Sequence, residues 1–416
     1  MKLMENGSIV VDGIFETKET RKITLDNHSE IYPVYSIKLD NLYYNDQNDR
    51  IATWISQYKT DNDIDSIDKD DIEAYNKIIE NFIVESNEKA INKTKNSIVL
   101  KGQEEPGIVL TDGRVIDGNR RFTCLRQIQR ESGQTGYFNA IILPFEYENN
   151  RKKIKMLELE IQLGKEEKVD YDPIDKLVGI YTNIVETGLL TVQEYANMVS
   201  STVREIQKEV EKATLMVEFL EFIRAEKKYH LARIMKLSEP LKELSIALSK
   251  CKSDDERETL KNIAFMNFAT GASRNAANGE LGQKAYVRHI KAIAENDACR
   301  KGYVEEQEEL VDDFCDKIDE LFDDNGHITE KELTELSADD ALVNTLTNET
   351  DKWNARANSE ANKNEPAKIL DKVINLITSI DTNIFRKLNE EQLDAVQRKL
   401  SEAQQALEDI NGDLDV

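Results

Sequence analysis

Apolar and polar residues alternate in two different patterns along the chain, and the change lies near residue 149. Before it, short apolar runs are separated by turn residues, a pattern typical of β-strands. Asp112-Gly113, between two such runs, predicts a hairpin. The predicted strands are SIVVDGIF, RKITLDN and YPVYSIKL between about residues 9 and 39, SIVL at 97–100, GIVL at 107–110, RVI at 114–116 and FNAIILPF at 138–145.

Helical spacing occurs in the same part at two places. Apolar residues three and four positions apart predict an amphipathic helix over Ile72–Ile91, and a second helix is predicted over Phe122–Glu131. Strands and helices are therefore mixed before residue 149, whereas the pattern after it is helical almost without interruption. The predicted fold class is an α+β N-terminal domain followed by a mostly α-helical C-terminal half.

A helix-turn-helix is predicted at residues 191–212. Thr191 and Glu194 have the spacing of a capping box, and Ser200-Ser201 separates two short helical runs. The second run is the candidate recognition helix, and a plain helical hairpin that packs the two halves together would produce the same pattern. The candidate DNA contacts on that helix are Thr202, Arg204, Lys208 and Lys212.

The last part of the chain has the spacing of a coiled coil. Apolar residues alternate intervals of three and four at Leu393, Val396, Leu400, Ala403, Leu407 and Ile410. Asn389 and Gln392 would cap this helix, and Ile369–Ile384 predicts a second amphipathic helix long enough to pair with it. The two helices are expected to form a helical hairpin, or to join two copies of the chain in a homodimer.

Charge restricts the partners of this chain. Its 416 residues contain 55 Lys and Arg against 80 Asp and Glu, a net charge of −25, which argues against a surface broadly committed to nucleic acid or anionic lipid. Residues 301–351 alone carry 18 acidic and three basic side chains. This segment is expected to be a solvated helical face, or to dock a basic protein partner. Any DNA contact must be local.

No segment has the features of a targeting or membrane-spanning sequence. The first residues lack a basic, then apolar, then small-residue signal, and no apolar run approaches the roughly 18 residues that span a bilayer. The 4 cysteines are widely spaced without a Cys-x-x-Cys pair, which fits reduced thiols better than disulfides or a zinc site. A cytoplasmic protein with no membrane partner and no metal site is expected.

One basic sequence stands out in this acidic chain, the VIDGNRRF of residues 115–122. Gly118 lies between a predicted strand and a predicted helix, where the first helical N–H groups lack partners and attract anions. Cations in a first helical turn oppose the helix dipole, so Arg120 and Arg121 suit this position best beside a bound phosphate. Alternatively, both arginines pair with Asp117 or other nearby acidic side chains. Spacing alone favours neither interpretation.

The order of these segments resembles the ParB/sulfiredoxin-like fold over roughly residues 31–212. The matching segments are IYPVYSIKL, NDQNDRI at 45–51, QEEPGIVL at 103–110, DGRVIDGNRRFTCLRQI at 112–128, ELEIQLGKEEKVDYDPIDK at 158–176 and the helix-turn-helix. The resemblance implies a site for CTP or ATP with Mg²⁺. It places Glu160 near the triphosphate, with Gln162 where the family has asparagine. The implied phosphate contacts are Asp117, Gly118, Asn119, Arg120 and Arg121.

The resemblance implies a nucleotide-binding, DNA-associated protein of a partition, mobile-element or phage-defence type. One alternative is an enzyme, either a CTPase or ATPase or a ParB-like nuclease, although no spacing singles out a catalytic residue. Its metal would be held by Glu104, Glu105, Asp117 or Glu160. Another alternative is a protein-interaction adaptor with a degenerate pocket. The predicted domains are a β extension (1–30), the nucleotide-binding domain (31–150), a helical region with the helix-turn-helix (151–225), a helical domain (226–350) and the terminal hairpin or coiled coil (351–416).

Overall fold

The computed structural model describes residues 2–5, 7–25, 28–163, 172–271, 283–325, 328–361 and 365–414. The chain divides into two compact units, Met1–Asn354 and Ala355–Val416. The first unit contains a β-sheet in its N-terminal part and helices after it, and the described residues of the second unit form helices without strands. This arrangement confirms the predicted α+β N-terminal part and the mostly helical remainder.

A mixed sheet forms the centre of the N-terminal part. The strands are β1 (Met4–Glu5), β2 (Ser8–Ile9), β3 (Ile14–Leu25), β4 (His28–Lys38), β5 (Tyr43–Tyr44), β6 (Gly107–Leu110), β7 (Arg114–Asp117) and β8 (Tyr137–Leu143). Six of them pair in the order β3-β4-β8-β6-β7-β5, and β1 pairs separately with β2. The pairs β5–β7 and β6–β8 are parallel and the others antiparallel. The hairpin predicted at Asp112-Gly113 is confirmed by the pairing of β6 with β7.

Helices pack on both faces of this sheet. The first face packs against four helices, α1 (Ala52–Asp61), α2 (Ile72–Ser86), α3 (Glu88–Lys101) and α4 (Asn119–Ser132). The second face packs against α5 (Tyr147–Leu163). Neighbouring strand residues enter different cores, Val109 the first and Ile108 the second. Because both faces are buried, the strand GIVL is apolar throughout.

Two predictions for this part are wrong. The run SIVL at 97–100 lies in α3 and not in a strand, and the single helix predicted over Ile72–Ile91 is two helices divided at Asn87. Asn87 begins α3 because its side chain accepts a hydrogen bond from the N–H of Ala90. In the SIVL run Val99 and Leu100 are exposed, so the run lacks the two buried faces of a central strand.

The rest of the first unit is helical. The two helices of the predicted helix-turn-helix are present, and both Thr191 and Thr202 form capping boxes. No described helix has the combination of length and apolar character that crossing a membrane requires. The helices are α6 (Pro173–Ile180), α7 (Val192–Met198), α8 (Val203–Phe222), α9 (Tyr229–Ile234), α10 (Ser238–Leu248), α11 (Asp254–Thr270), α12 (Gln283–Glu295), α13 (Asp297–Asn325), α14 (Glu330–Ser337) and α15 (Asp340–Ala361), whose last residues belong to the second unit.

The second unit contains α16 (Glu365–Thr378) and α17 (Glu390–Leu414). Asn389 and Gln392 cap α17 as predicted: the Asn389 side chain accepts from the N–H of Gln392, and the Gln392 side chain accepts from the N–H of Asn389. From residue 366 to residue 412 no side chain is buried. Both predicted helices are present, but the one predicted over Ile369–Ile384 ends at Thr378, and a short 3-10 helix, Thr382–Lys387, follows it. The two helices do not build a hairpin core within one chain.

Candidate functional site

A cleft of about 900 Å³ lies beside the VIDGNRRF segment. Its walls come from five parts of the chain: the segment 48–51 before α1, the end of α2 with Asn87, the helix α3, the segment 102–105, and residues 116–121 at the junction of β7 with α4. The volume falls in the range of sites for small molecules, roughly 300–1,000 Å³. The structure thus places the predicted phosphate box, Asp117 to Arg121, in the wall of a cleft large enough for a nucleotide.

The first turn of α4 has the features of an anion site. Gly118 precedes it with φ of 93°, no side chain caps the helix, and no acidic residue lies in the first turn. A Cβ at Gly118 would lie 2.9 Å from Cζ of Phe138, so only glycine fits between the strand and the helix. The first N–H groups of α4 are consequently not covered by a side-chain cap, and they carry the positive end of the helix dipole.

Asp117 is held by two arginines. Its Oδ2 accepts hydrogen bonds from Nη1 and Nη2 of Arg21, at 3.1 and 3.2 Å, and from Nη2 of Arg121 at 3.4 Å. Arg121 also donates to the backbone oxygen of Glu105 at 2.5 Å. Of the two interpretations that the sequence left open, pairing with nearby acidic side chains therefore applies to Arg121. Arg121 and Arg120 both line the cleft, and Arg21 on β3 is a contact that the sequence did not indicate.

Asn119 contributes a polar group to the same wall. Its Oδ1 is buried, and no described residue donates a hydrogen bond to it. An acceptor at this position suits a hydroxyl or amino donor of a ligand better than it suits a phosphate oxygen. Asn119 is thus a candidate for contact with the sugar or the base of a nucleotide.

Three basic side chains outside the box also line the cleft, and no sequence pattern indicated them. They are Arg50, from the segment before α1, and Lys89 and Lys93 of α3. The i, i+4 spacing of the two lysines would have shown that they share a helix face, but the prediction of a strand at SIVL obscured α3. Five basic side chains therefore face three acidic ones, Glu104, Glu105 and Asp117, around the cleft.

The structure does not bring Glu160 to the box. Glu160 is exposed on α5 and is not among the described residues that line the cleft. The side chain of Gln162 lies outside the described part of the structure. Asp172, further along the same motif, caps α6 by accepting a hydrogen bond from the N–H of Ile174 at 2.8 Å, which is a structural role.

A buried lysine on α5 connects this helix to the wall of the cleft instead. Nζ of Lys155 donates to Oδ1 of Asp49 at 2.8 Å, to the backbone oxygen of Gln47 at 3.1 Å and to Oε2 of Glu158 at 3.2 Å. Burial lowers the pKa of Lys155, but the two carboxylates more than compensate and raise it above the usual value. Lys155 therefore stays charged and fixes the segment that carries Arg50.

The helix-turn-helix presents only part of its predicted DNA face. Arg204 and Lys208 are exposed on α8, whereas Lys212 is 8 % exposed and pairs with Glu209 at 3.1 Å. The hydroxyl of Thr202 is occupied by the capping box with Glu205. Arg204 and Lys208 are the two predicted contacts whose charged groups can reach a phosphate in this conformation.

Among the described residues no group of three or more His, Cys, Asp and Glu side chains could hold a metal ion. The three carboxylates of the cleft all have basic partners: Asp117 pairs with Arg21, Glu105 with Arg121 at 3.7 Å, and Glu104 with Lys101 at 3.7 Å. Glu160, the fourth candidate, lies elsewhere. The carboxylates of the cleft are thus held by cations, and Mg²⁺ at this cleft would depend mainly on phosphate oxygens of the ligand.

No family model and no curated protein matches the chain. Among solved structures, the C2221 form of a Pnob8-like ParB-N domain matches 71% of this chain and 99% of its own, with 11% identity and a TM-score of 0.33. That protein carries the name of the family that the sequence motifs resemble. A TM-score of 0.33 is nevertheless too low to establish a shared fold, so the cleft itself must carry any functional conclusion.

Proposed function

We propose that the cleft binds the phosphates of a nucleoside triphosphate, and that the chain is a nucleotide-responsive, DNA-associated protein. The observation that carries the proposal is the first turn of α4, which has no side-chain cap and places Arg120 and Arg121 in the wall of a 900 Å³ cleft. Cations at the positive end of a helix are unfavourable, and Asp117 and Glu105 compensate part of this cost for Arg121. A phosphate bound at the start of α4 would stabilise both guanidinium groups. A phosphate group accepts hydrogen bonds from both guanidinium groups and backbone N–H groups.

Titration calorimetry with CTP, ATP and GTP, each with and without Mg²⁺, tests this proposal. Binding of at least one nucleotide is expected, and Arg120→Ala should abolish it. Arg130→Ala is the matched control, because Arg130 lies at the other end of α4, outside the cleft, and pairs with Glu80. Equal affinity of the Arg120→Ala variant and the unmodified protein would show that the box does not hold phosphate.

Two other functions make different predictions in the same experiment. A CTPase, an ATPase or a ParB-like nuclease would release phosphate or cut DNA in the presence of Mg²⁺. The pairing of Glu104, Glu105 and Asp117 with basic side chains disfavours this function. An adaptor with a degenerate pocket would bind none of the nucleotides. The adaptor is favoured if the unmodified protein binds none of the three nucleotides.

DNA association is the part of the proposal that depends on the helix-turn-helix. Arg204 and Lys208 are exposed on α8, and the net charge of −25 restricts contact to such local positions. Gel shifts with generic duplex DNA at rising salt provide the test, since binding to phosphates weakens steeply with salt. The double substitution of Arg204 and Lys208 by Ala should lower the affinity and reduce the salt dependence, and Lys212→Ala should do neither.

A homodimer through the C-terminal unit completes the proposal. The apolar stripe of α17, Leu393 to Ile410, is not buried within one chain. The positions directly beside the stripe are mostly neutral, as in Gln397 and Gln404, so two copies can meet without like-charge repulsion. Sedimentation at increasing concentration should show a dimer. The proposal also places the chain in a partition, mobile-element or phage-defence system. In addition, it gives residues 301–351 a basic protein partner, which a pull-down experiment tests.

A further inference from the structure

A second wall of the cleft, formed by α3, also carries positive charge. Lys89 and Lys93 lie one turn apart on α3, line the cleft and are exposed. Among the described residues neither lysine forms an ion pair or a hydrogen bond through its side chain. Thr94 and Ser97 of the same helix also line the cleft and add hydroxyl groups to this wall.

The other lysines of α3 differ from this pair. Lys95 pairs with Glu131 at 2.5 Å, and Lys101 pairs with Glu104 at 3.7 Å. The carboxylates of the cleft are therefore already paired with other cations, and the charge of Lys89 and Lys93 is not neutralised by a described side chain. Two adjacent cations on a helix face repel each other, so an anion that lies between them is stabilised.

We propose that Lys89 and Lys93 form a second anion subsite, which binds the distal phosphates of a ligand whose first phosphate lies at the N-terminus of α4. The inference rests on the proposed function of the cleft and specifies its ligand class, an oligophosphate. A single phosphate group held at the start of α4 is compact, whereas a triphosphate is long enough to contact a second part of the cleft of about 900 Å³. The α3 wall then discriminates triphosphates from monophosphates.

Calorimetry with orthophosphate, pyrophosphate and tripolyphosphate tests this subsite without a contribution from a base. For the unmodified protein the affinity is expected to rise with chain length. The double variant Lys89→Ala/Lys93→Ala should bind tripolyphosphate at least about tenfold more weakly, because each charge-assisted contact is strong, and should bind orthophosphate unchanged. Lys89→Arg/Lys93→Arg should retain most of the affinity for tripolyphosphate.

The matched control is Lys95→Ala, which removes a lysine from the same helix whose charge is paired with Glu131 outside the cleft. This variant should leave the affinity for every phosphate unchanged. Because Lys89 and Lys93 are exposed, their substitution is not expected to alter the melting temperature. A melting curve of each variant separates lost contacts from lost folding.

The possible outcomes separate this inference from the proposed function. If Arg120→Ala abolishes binding while the Lys89→Ala/Lys93→Ala variant keeps its preference for tripolyphosphate, the second subsite is wrong and the phosphate box stands. An equal loss for orthophosphate and tripolyphosphate in the double lysine variant also overturns the subsite, since it indicates general electrostatic attraction. If the unmodified protein binds a nucleotide but none of the three phosphates, the second subsite is wrong and the proposed function stands; if it binds neither, both proposals fail.

Discussion

Apolar side chains have different surroundings in the N-terminal part that contains the β-sheet, here called the sheet domain, and in the second unit, Ala355–Val416, here called the C-terminal unit. Phe122 of α4 is fully buried, with its ring centroid 4.7 Å from that of Tyr44 and 5.8 Å from that of Phe138. Leu400, in the middle of the α17 stripe, is 52% exposed. Both residues lie on amphipathic helices that the sequence predicted. Periodicity therefore identifies an apolar helix face, but it does not tell whether the same chain covers that face.

Charged side chains show the same contrast. Glu80 and Arg126 are buried and pair at 3.2 Å beside α4, whereas Lys399 and Glu402 form a pair on α17 with side chains 79% and 62% exposed. Breaking a buried pair leaves an uncompensated charge, while an exposed pair contributes little. The sheet domain therefore fixes the positions of its charges before a ligand arrives. The exposed pair on α17 is not held by burial in this way.

The largest expected effect distinguishes the two apolar residues. Phe122→Ala should lower the free energy of unfolding of the first unit by about 4 kcal/mol, because it leaves a cavity among buried rings. Leu400→Ala at low protein concentration should change the stability of the chain by less than about 0.5 kcal/mol. Urea unfolding followed by near-ultraviolet circular dichroism measures both. A large effect of Leu400→Ala in a dilute sample would mean that the stripe is already buried in the monomer.

The next effect concerns a buried carboxyl group. Asp175 on α6 accepts a hydrogen bond from the N–H of Thr53, and burial raises the pKa of its carboxyl from 3.8 to about 7. Because the folded pKa exceeds the unfolded pKa, the stability contributed by Asp175 is complete below about pH 4 and is lost as the pH rises through 7. Asp175→Asn should therefore be more stable than the unmodified protein at pH 8, by about 3 kcal/mol.

Unfolding experiments at several pH values test this expectation. His230 acts in the opposite direction, because burial lowers its pKa from 6.5 to about 4 and its contribution is lost as the pH falls through that range. The difference between Asp175→Asn and the unmodified protein at each pH isolates the carboxyl group. Glu402→Gln, at the exposed pair of the second unit, is the control and should change the stability by less than about 0.5 kcal/mol at every pH. A constant difference between the two proteins from pH 4 to pH 8 would contradict the prediction.

The sequence predicted those features that depend on residues close together in the chain. The strands GIVL and RVI, the helix that follows Gly118, and the caps at Thr191 and Asn389 are all confirmed. Each depends on a short pattern of apolar residues, on a glycine with positive φ, or on a side chain that bonds within one turn. The position of the phosphate box at the start of a helix follows from the same local rules.

Features that depend on distant residues could not be predicted in this way. Arg21 reaches Asp117 across 96 positions of sequence, and Lys89 and Lys93 line the same cleft as the box because α3 packs against α4. The position of Lys212 on the candidate recognition helix predicts an exposed DNA contact, but the residue is buried. No local pattern contains these contacts, because they arise from the packing of helices and strands that are far apart in the chain.

A smaller effect tests whether the start of α4 is as rigid as the buried core beneath it. Gly118→Ala should cost about 3 kcal/mol, because its φ of 93° is strained for alanine and the new Cβ would lie 2.9 Å from Phe138. Gly133→Ala, at the other end of α4, has a φ of 67° and open space around its Cβ, and should cost about 1 kcal/mol. The difference of about 2 kcal/mol, measured by urea unfolding, reports the close approach at the box. Equal costs for the two variants would indicate that the cleft wall can move.

The smallest effect tests whether a second copy supplies the core that the C-terminal unit lacks. If α17 pairs with α17 of another chain, Leu400→Ala should become destabilising as protein concentration rises, because the side chain is then buried in the dimer. The expected cost is about 1 kcal/mol per helix, well below that of Phe122→Ala, since a coiled-coil seam buries less of each leucine than a domain core. Gln405→Ala, away from the stripe on the same helix, is the control and should show no dependence on concentration. Sedimentation and thermal melting over a wide concentration range measure both, and identical curves for the two variants at every concentration would exclude the α17 stripe as the dimer interface.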